Sequence, residues 1–226
     1  MTTRLSEQIG RAANGLGSWI ARHWLALMAL WLTVFLALPI AAPVLAMHGF
    51  ERTSSLIYLA YRVSCHQLPH RSWFIGGERL TYDWPAVAAY LGPETRGVID
   101  AFHRPIRDAT MGYQTALCQR DIAIFGGLLL TVLAFGMVRH RRTVRTLPFK
   151  LYVLALVPAA ADGLTQLVGL RESTPVLRTA TGLLFGIATG LLVLPHLELG
   201  FRELDQDLAV DDPRAATQPR AAPDDV

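Results

Sequence analysis

Four stretches of the chain lack the apolar–polar alternation of a half-buried strand and are apolar on every side. Residues 24–47 run without a charge, as do residues 122–138; residues 151–170 carry only Asp162, and residues 179–197 hold His196 as their one ionisable group. About 20 apolar residues cross the hydrocarbon core as a helix, and a helix satisfies its backbone hydrogen bonds within one segment. The pattern predicts an all-α, polytopic membrane protein with four transmembrane helices, at 24–47, 122–138, 151–170 and 176–197. Residues 1–23 form an amino-terminal arm, and 24–198 the membrane domain. Residues 48–121 form a large outer segment between the first two spans, read as short helices joined by Pro and Gly turns. Residues 199–226, acidic and rich in Ala and Pro, are expected to be a disordered tail.

The first span has a rival reading. An arginine-bearing start and the stretch "PIAAPVLA" resemble a cleavable signal peptide, although the apolar run exceeds the ~7–15 residues usual for one.

Charge sets the orientation. The loop "RHRRTVRTLPFK" at 139–150 holds five cations and no acid, which marks it as cytoplasmic. Four spans then put both termini in the cytoplasm and the outer segment outside, in a cell (inner or plasma) membrane. Charged residues make up 17% of the chain, below the roughly 25% of soluble domains, so the lipid bilayer is the expected surround. The excess of basic residues is almost entirely arginine scattered among apolar runs, without a basic stripe, and no nucleic-acid partner is expected.

This topology gathers the polar residues at the outer face. Cys65, His66, Gln67 and Arg71 lie in "SCHQLPHR"; Cys118, Arg120 and Asp121 open the second span; Asp162 and Gln166 lie in the outer half of the third. Arg171, Glu172 and Ser173 form the turn after it, and Arg178 and Thr181 open the fourth. An ionisable group inside a span is costly and usually meets a partner, which for Asp162 is expected to be Arg178 or Arg171. Asp162 and Glu172 are the candidate proton-handling groups. Gly182, Gly186 and Gly190 repeat at intervals of four, a small-residue face suited to helix packing within the chain or in a homodimer.

In order, "SCHQLPHRSWFIGG", "LCQRDIAIFGG", "ADGLTQLVGLREST" and "LRTATGLLFG" resemble a family of prokaryotic membrane proteins, domain of unknown function 2085. The resemblance implies the fold and membrane placement, and brings no established activity. The family pattern has Cys-x-Arg-Cys-Thr-Gly where this chain has Cys118, Gln119, Arg120 and Asp121, and the Thr-Gly is missing here. A redox dithiol does not survive the loss of one sulfur. A metal site does, because thiolate, imidazole and carboxylate all ligate zinc. Cys65, His66, Cys118 and Asp121 are therefore a candidate ligand set for zinc, with a Cys65–Cys118 disulfide as the alternative. Cys65 and His66 reach one ion together only from a loop, which Pro69 favours. Three classes of function stay open: a membrane enzyme with an outer metal site, a small transporter using Asp162, and a non-catalytic scaffold with a structural disulfide.

Overall fold

The computed structural model describes residues 2–95, 97–141 and 144–210. It is mostly helical: α1 Thr2–Met47, α2 Glu51–Tyr61, α3 Trp84–Leu91, α4 Gln119–Val138, α5 Phe149–Leu167 and α6 Pro175–Val210. Three helices among the described residues are long and apolar enough to cross a membrane, Gln8–Met47, Gln119–Val138 and Pro175–Val210. Helix α5, where the third span was expected, interrupts its apolar run with Lys150, Asp162 and Gln166, and falls short of that standard. Much of the apolar surface faces outward, including Leu30, Trp31 and Val34 on α1, Leu133 and Met137 on α4, and Leu154 and Val157 on α5. Large exposed apolar faces suit lipid and not water.

The sequence-based boundaries need correction at several ends. Helix α1 begins at Thr2, far upstream of residue 24, and α6 runs on to Val210 where a disordered tail from residue 199 was expected. At about 1.5 Å per residue, α6 is ~54 Å long, well beyond the ~30 Å hydrocarbon core. Its far end instead packs on the start of α1, where the Ser18 hydroxyl donates to Asp205 and Arg22 pairs with the same carboxylate at 3.6 Å. The remainder of the expected tail, 211–226, lies outside the described residues.

The outer segment is also not wholly helical. Strands β1 Ser72–Ile75, β2 Arg107–Asp108 and β3 Gly112–Cys118 form an antiparallel sheet in the order β1-β3-β2. Ile75 is opposite Tyr113 and Arg107 is opposite Tyr113 on the other edge. Strand β3 feeds directly into α4, so the sheet fixes where that helix starts.

The core has three apolar clusters. Trp24, Leu25 and Leu32 of α1 meet Val132, Phe135 and Leu194 near the 139–148 loop. Ala42, Tyr58, Tyr61, Cys65, Ala116 and Leu117 form the second, under the sheet. Phe74, Val87, Ile106 and Met111 form the third, between sheet and α3. Helices α4 and α6 meet along the glycine face: a Cβ on Gly186 would come 2.0 Å from the Ile124 carbonyl oxygen, and one on Gly182 would come 2.8 Å from that of Arg120. Gly190 faces Thr131 in the same way. The three glycines thus serve packing within the chain, and a homodimer would have to use another surface.

Two of the prolines inside the helices, Pro39 and Pro195, are answered by donors from elsewhere. Pro39 cannot donate to the Phe35 carbonyl, and the Tyr61 hydroxyl donates to it instead at 2.7 Å. Pro195 likewise frees the Leu191 carbonyl, which accepts from the backbone N–H of Leu147 at 3.2 Å. The first contact ties α2 to α1; the second pins the 139–148 loop to α6.

Candidate functional site

The site is built where the loop after α2, the end of β3 and the starts of α4 and α6 converge. Gln67 sits at φ 53°, a left-handed conformation uncommon outside glycine, and its side chain is fully buried. Its Nε2 donates to the carbonyls of Tyr58 (2.7 Å) and Ala116 (3.2 Å). Gln114 returns the bond, donating from Nε2 to the Gln67 carbonyl at 2.9 Å and accepting from the Ile106 N–H at 3.0 Å. Gln119 spans from the Ser72 carbonyl (2.9 Å) to Arg178, whose guanidinium donates to its Oε1 at 3.3 Å. Three buried amides therefore lock the loop, sheet and helices together. Pairing of buried amide groups is the rule in folded chains, and Gln67 Oε1 is the one oxygen of the three without a partner among the described residues.

This frame brings Cys65 to Cys118. Their sulfurs and an Asp121 carboxylate oxygen lie within 4.8 Å of one another. Both thiols are free. Cys65 Sγ accepts from the Gln67 N–H at 3.4 Å, and Cys118 Sγ caps α4 by accepting from the Asp121 N–H at 3.5 Å. Each sulfur thus accepts one backbone N–H. In the free protein the hydrogen bond with Cys65, burial and the Asp121 carboxylate together push the Cys118 thiol well up, against the backbone N–H of Asp121.

His66 does not join this group. Its ring packs on Phe102 (centroids 4.7 Å apart) and stacks near His103; it lines the same cavity as the sulfurs but lies outside the 4.8 Å group. The candidate ligand set is reduced to Cys65, Cys118 and Asp121.

Asp162 is 1% exposed. Arg120 pairs with its Oδ2, Arg171 donates to Oδ1 at 2.7 Å, and Ser173 Oγ donates to Oδ2 at 2.9 Å. Arg171 is thus one of its partners, as the sequence suggested. Arg178 is not: its guanidinium donates to Glu172 at 2.9 Å and to the His70 carbonyl at 3.0 Å. Glu172 also accepts from Arg71 (3.4 Å) and from Gln166 (2.8 Å). Burial pushes the Glu172 carboxyl up, but the Gln166 hydrogen bond and the positive charge of Arg71 outweigh it and hold the carboxyl below its usual range. Thr181 turns its hydroxyl back to the Leu177 carbonyl at 2.7 Å and so serves its own helix.

His70, also in "SCHQLPHR", is buried. Burial, with Arg71 next, pushes its pKa down to about 4. Arg71 Nε donates to His70 Nε2 at 3.0 Å, which needs a lone pair there. The ring is therefore neutral, and its 3.8 Å approach to Glu172 is not an ion pair at neutral pH. Gln114 and Gln119 were missed in the sequence, where nothing marks a glutamine as buried.

A cavity of about 180 Å³ opens beside the sulfurs, lined by Cys65, Cys118 and Asp121 together with Arg71, Arg120 and Arg178. Residues 108–192, from β2 through the first half of α6, match the family described as "Predicted membrane protein (DUF2085)". A protein of Methanocaldococcus jannaschii, described as uncharacterized, is 29% identical over 167 residues, which cover 73% of this chain and 83% of that one. An uncharacterized protein of Methanothermobacter thermautotrophicus is 38% identical over 90 residues, 39% of this chain and 79% of that one. No solved structure matches the chain. The chain belongs to this family of membrane proteins of unknown function.

Proposed function

We propose that this is a multi-pass protein whose fourth crossing helix is α5, with both termini cytoplasmic, and that Cys65, Cys118 and Asp121 hold one thiophilic divalent cation, zinc, at the outer membrane face. The observation that carries the metal reading is the convergence of two sulfurs and a carboxylate within 4.8 Å. Two zinc–sulfur bonds of about 2.3 Å at a tetrahedral angle put the sulfurs about 3.8 Å apart, so movements of at most about 1 Å close the triangle around an ion. A disulfide would give Asp121 no part. Three protein ligands also leave a fourth position free for water or substrate, the arrangement of catalytic rather than structural zinc. That position would face the cavity.

Use of Asp162 as a proton carrier is disfavoured by its partners. A carboxylate held by two guanidinium groups and a hydroxyl stays charged, which suits a structural pair better than a relay. The test is the zinc content and free-thiol count of purified protein, in wild type and in the Cys118→Ser and Asp121→Asn variants. About one zinc per chain, lost in both variants, is the expected result. Two titratable thiols without zinc after growth with added metal would overturn the metal reading, and no free thiol would replace it with the disulfide.

A further inference from the structure

Four guanidinium groups surround the cavity or brace its wall: Arg71, Arg120, Arg171 and Arg178. They share few carboxylates. Asp162 serves both Arg120 and Arg171, and Glu172 serves both Arg71 and Arg178. Asp121 is the third acid of the group and, among the described residues, the only carboxylate on the cavity wall. Four positive charges therefore stand against three negative ones. Loading a divalent ion does not alter this balance, because two thiol protons leave as the ion enters. One negative charge is missing, with or without metal.

The shortfall falls on groups that water screens poorly. Arg178 is 3% exposed, and Arg120 and Arg178 each keep a buried Nε–H with no acceptor among the described residues. An under-compensated guanidinium in such a setting is expensive and attracts an anion strongly. Arginine is also the side chain whose planar fork matches carboxylate and phosphate oxygens. The cavity, at about 180 Å³, is smaller than the ~300–1,000 Å³ of pockets that take drug-sized ligands. It suits a small oxyanion or the headgroup of a larger molecule.

We infer that the cavity beside Cys65 and Cys118 binds the oxyanion of a phosphate-bearing ligand, seated by Arg71, Arg120 and Arg178. The ligand's place next to an open metal position rests on the metal reading above; the arginine seat itself does not. Phosphate can come from free solute or from a lipid headgroup, and the same chemistry serves both. A second basic cavity, of about 540 Å³, lies at the opposite end and is lined by Arg139, Arg141, Arg145 and Arg202. It provides the control.

The experiment measures inorganic phosphate binding by calorimetry in detergent, and retention of phosphatidic acid against phosphatidylcholine in nanodiscs. Zinc-loaded and chelator-treated protein are compared, with zinc content measured on each sample. Arg71→Gln, at a partly exposed side chain, should weaken binding at least tenfold, with folding checked by melting temperature, while Arg145→Gln leaves it unchanged. Binding of phosphate in solution identifies a soluble ligand; selective retention of phosphatidic acid alone identifies the lipid. Loss of zinc with phosphate binding intact removes the metal reading and leaves this one standing. Zinc bound with neither phosphate form taken up overturns this inference, as does binding that follows Arg145 and ignores Arg71.

Discussion

Replacing Asp162 with leucine probes the network beneath the site. The wild-type carboxylate is 1% exposed and accepts from Arg120, Arg171 and Ser173. Removing one member of a buried pair costs ~3–5 kcal/mol, mostly from the charge left behind. Here the cost should lie near the low end, about 3 kcal/mol, because the Arg171 side chain is 42% exposed and can turn to solvent. Arg120, at 24%, has less freedom and carries most of the penalty. For a chain of this size the loss corresponds to ~6–12 °C in melting temperature. A double-mutant cycle apportions it: adding Arg120→Leu to Asp162→Leu should recover more than half of the loss, since only the more exposed Arg171 then lacks its carboxylate. Adding Arg178→Leu should recover little, because that guanidinium answers to Glu172. Thermal unfolding in one detergent, followed by circular dichroism, reads all six proteins: wild type, the three single variants and the two doubles. Stronger coupling to Arg178 than to Arg120, or an Asp162→Leu protein as stable as wild type, would refute the assignment.

Three further outcomes follow from the same structure. Gly186→Ala should cost about 2 kcal/mol or more, since its Cβ would meet the Ile124 carbonyl oxygen, whereas Gly126→Ala, with nothing within 4 Å, should be neutral; equal melting temperatures would contradict the α4–α6 packing. Between pH 7 and pH 5 the protein should lose about 2 kcal/mol through His70: its folded pKa of about 4 lies below the ordinary 6.5, so the unfolded chain takes up the proton first and stability falls as pH falls. Glu172, also depressed, adds loss in the same direction at lower pH, and His70→Gln should flatten the upper part of the profile. A periplasmic-type reporter fused after Val226 should be inactive and a cytoplasmic one active, with the reverse result excluding the four-span orientation.

The membrane helices were legible because a segment that faces lipid on most sides must be apolar throughout, and the runs of α4 and α6 say so directly. Their full lengths were not, since the flanks of α1 and α6 are polar and stay helical only by packing on each other, through Ser18, Arg22 and Asp205. The sheet escaped notice for a similar reason. Strand β3, "GYQTALC", is buried on both faces for most of its length and shows no period of two, and β1 is four residues long. Cys65, Cys118 and Asp121 could be brought together by topology alone. The place of His66 outside the 4.8 Å group could not, because its ring contacts Phe102 and His103, which are distant in the chain. The Asp162–Arg120 pair was equally hidden: its two residues lie on different helices, and Arg178 was the nearer guess only along the helix that opens after the turn.

The most direct test of the central proposal is X-ray absorption at the zinc edge on protein purified with about one zinc per chain. Two sulfur neighbours at about 2.3 Å, with the remaining neighbours oxygen or nitrogen at about 2.0–2.2 Å, are the predicted result, falling to one sulfur in Cys118→Ser if any ion is retained. A zinc shell without sulfur would place the metal elsewhere and contradict the assignment of Cys65, Cys118 and Asp121 as its ligands.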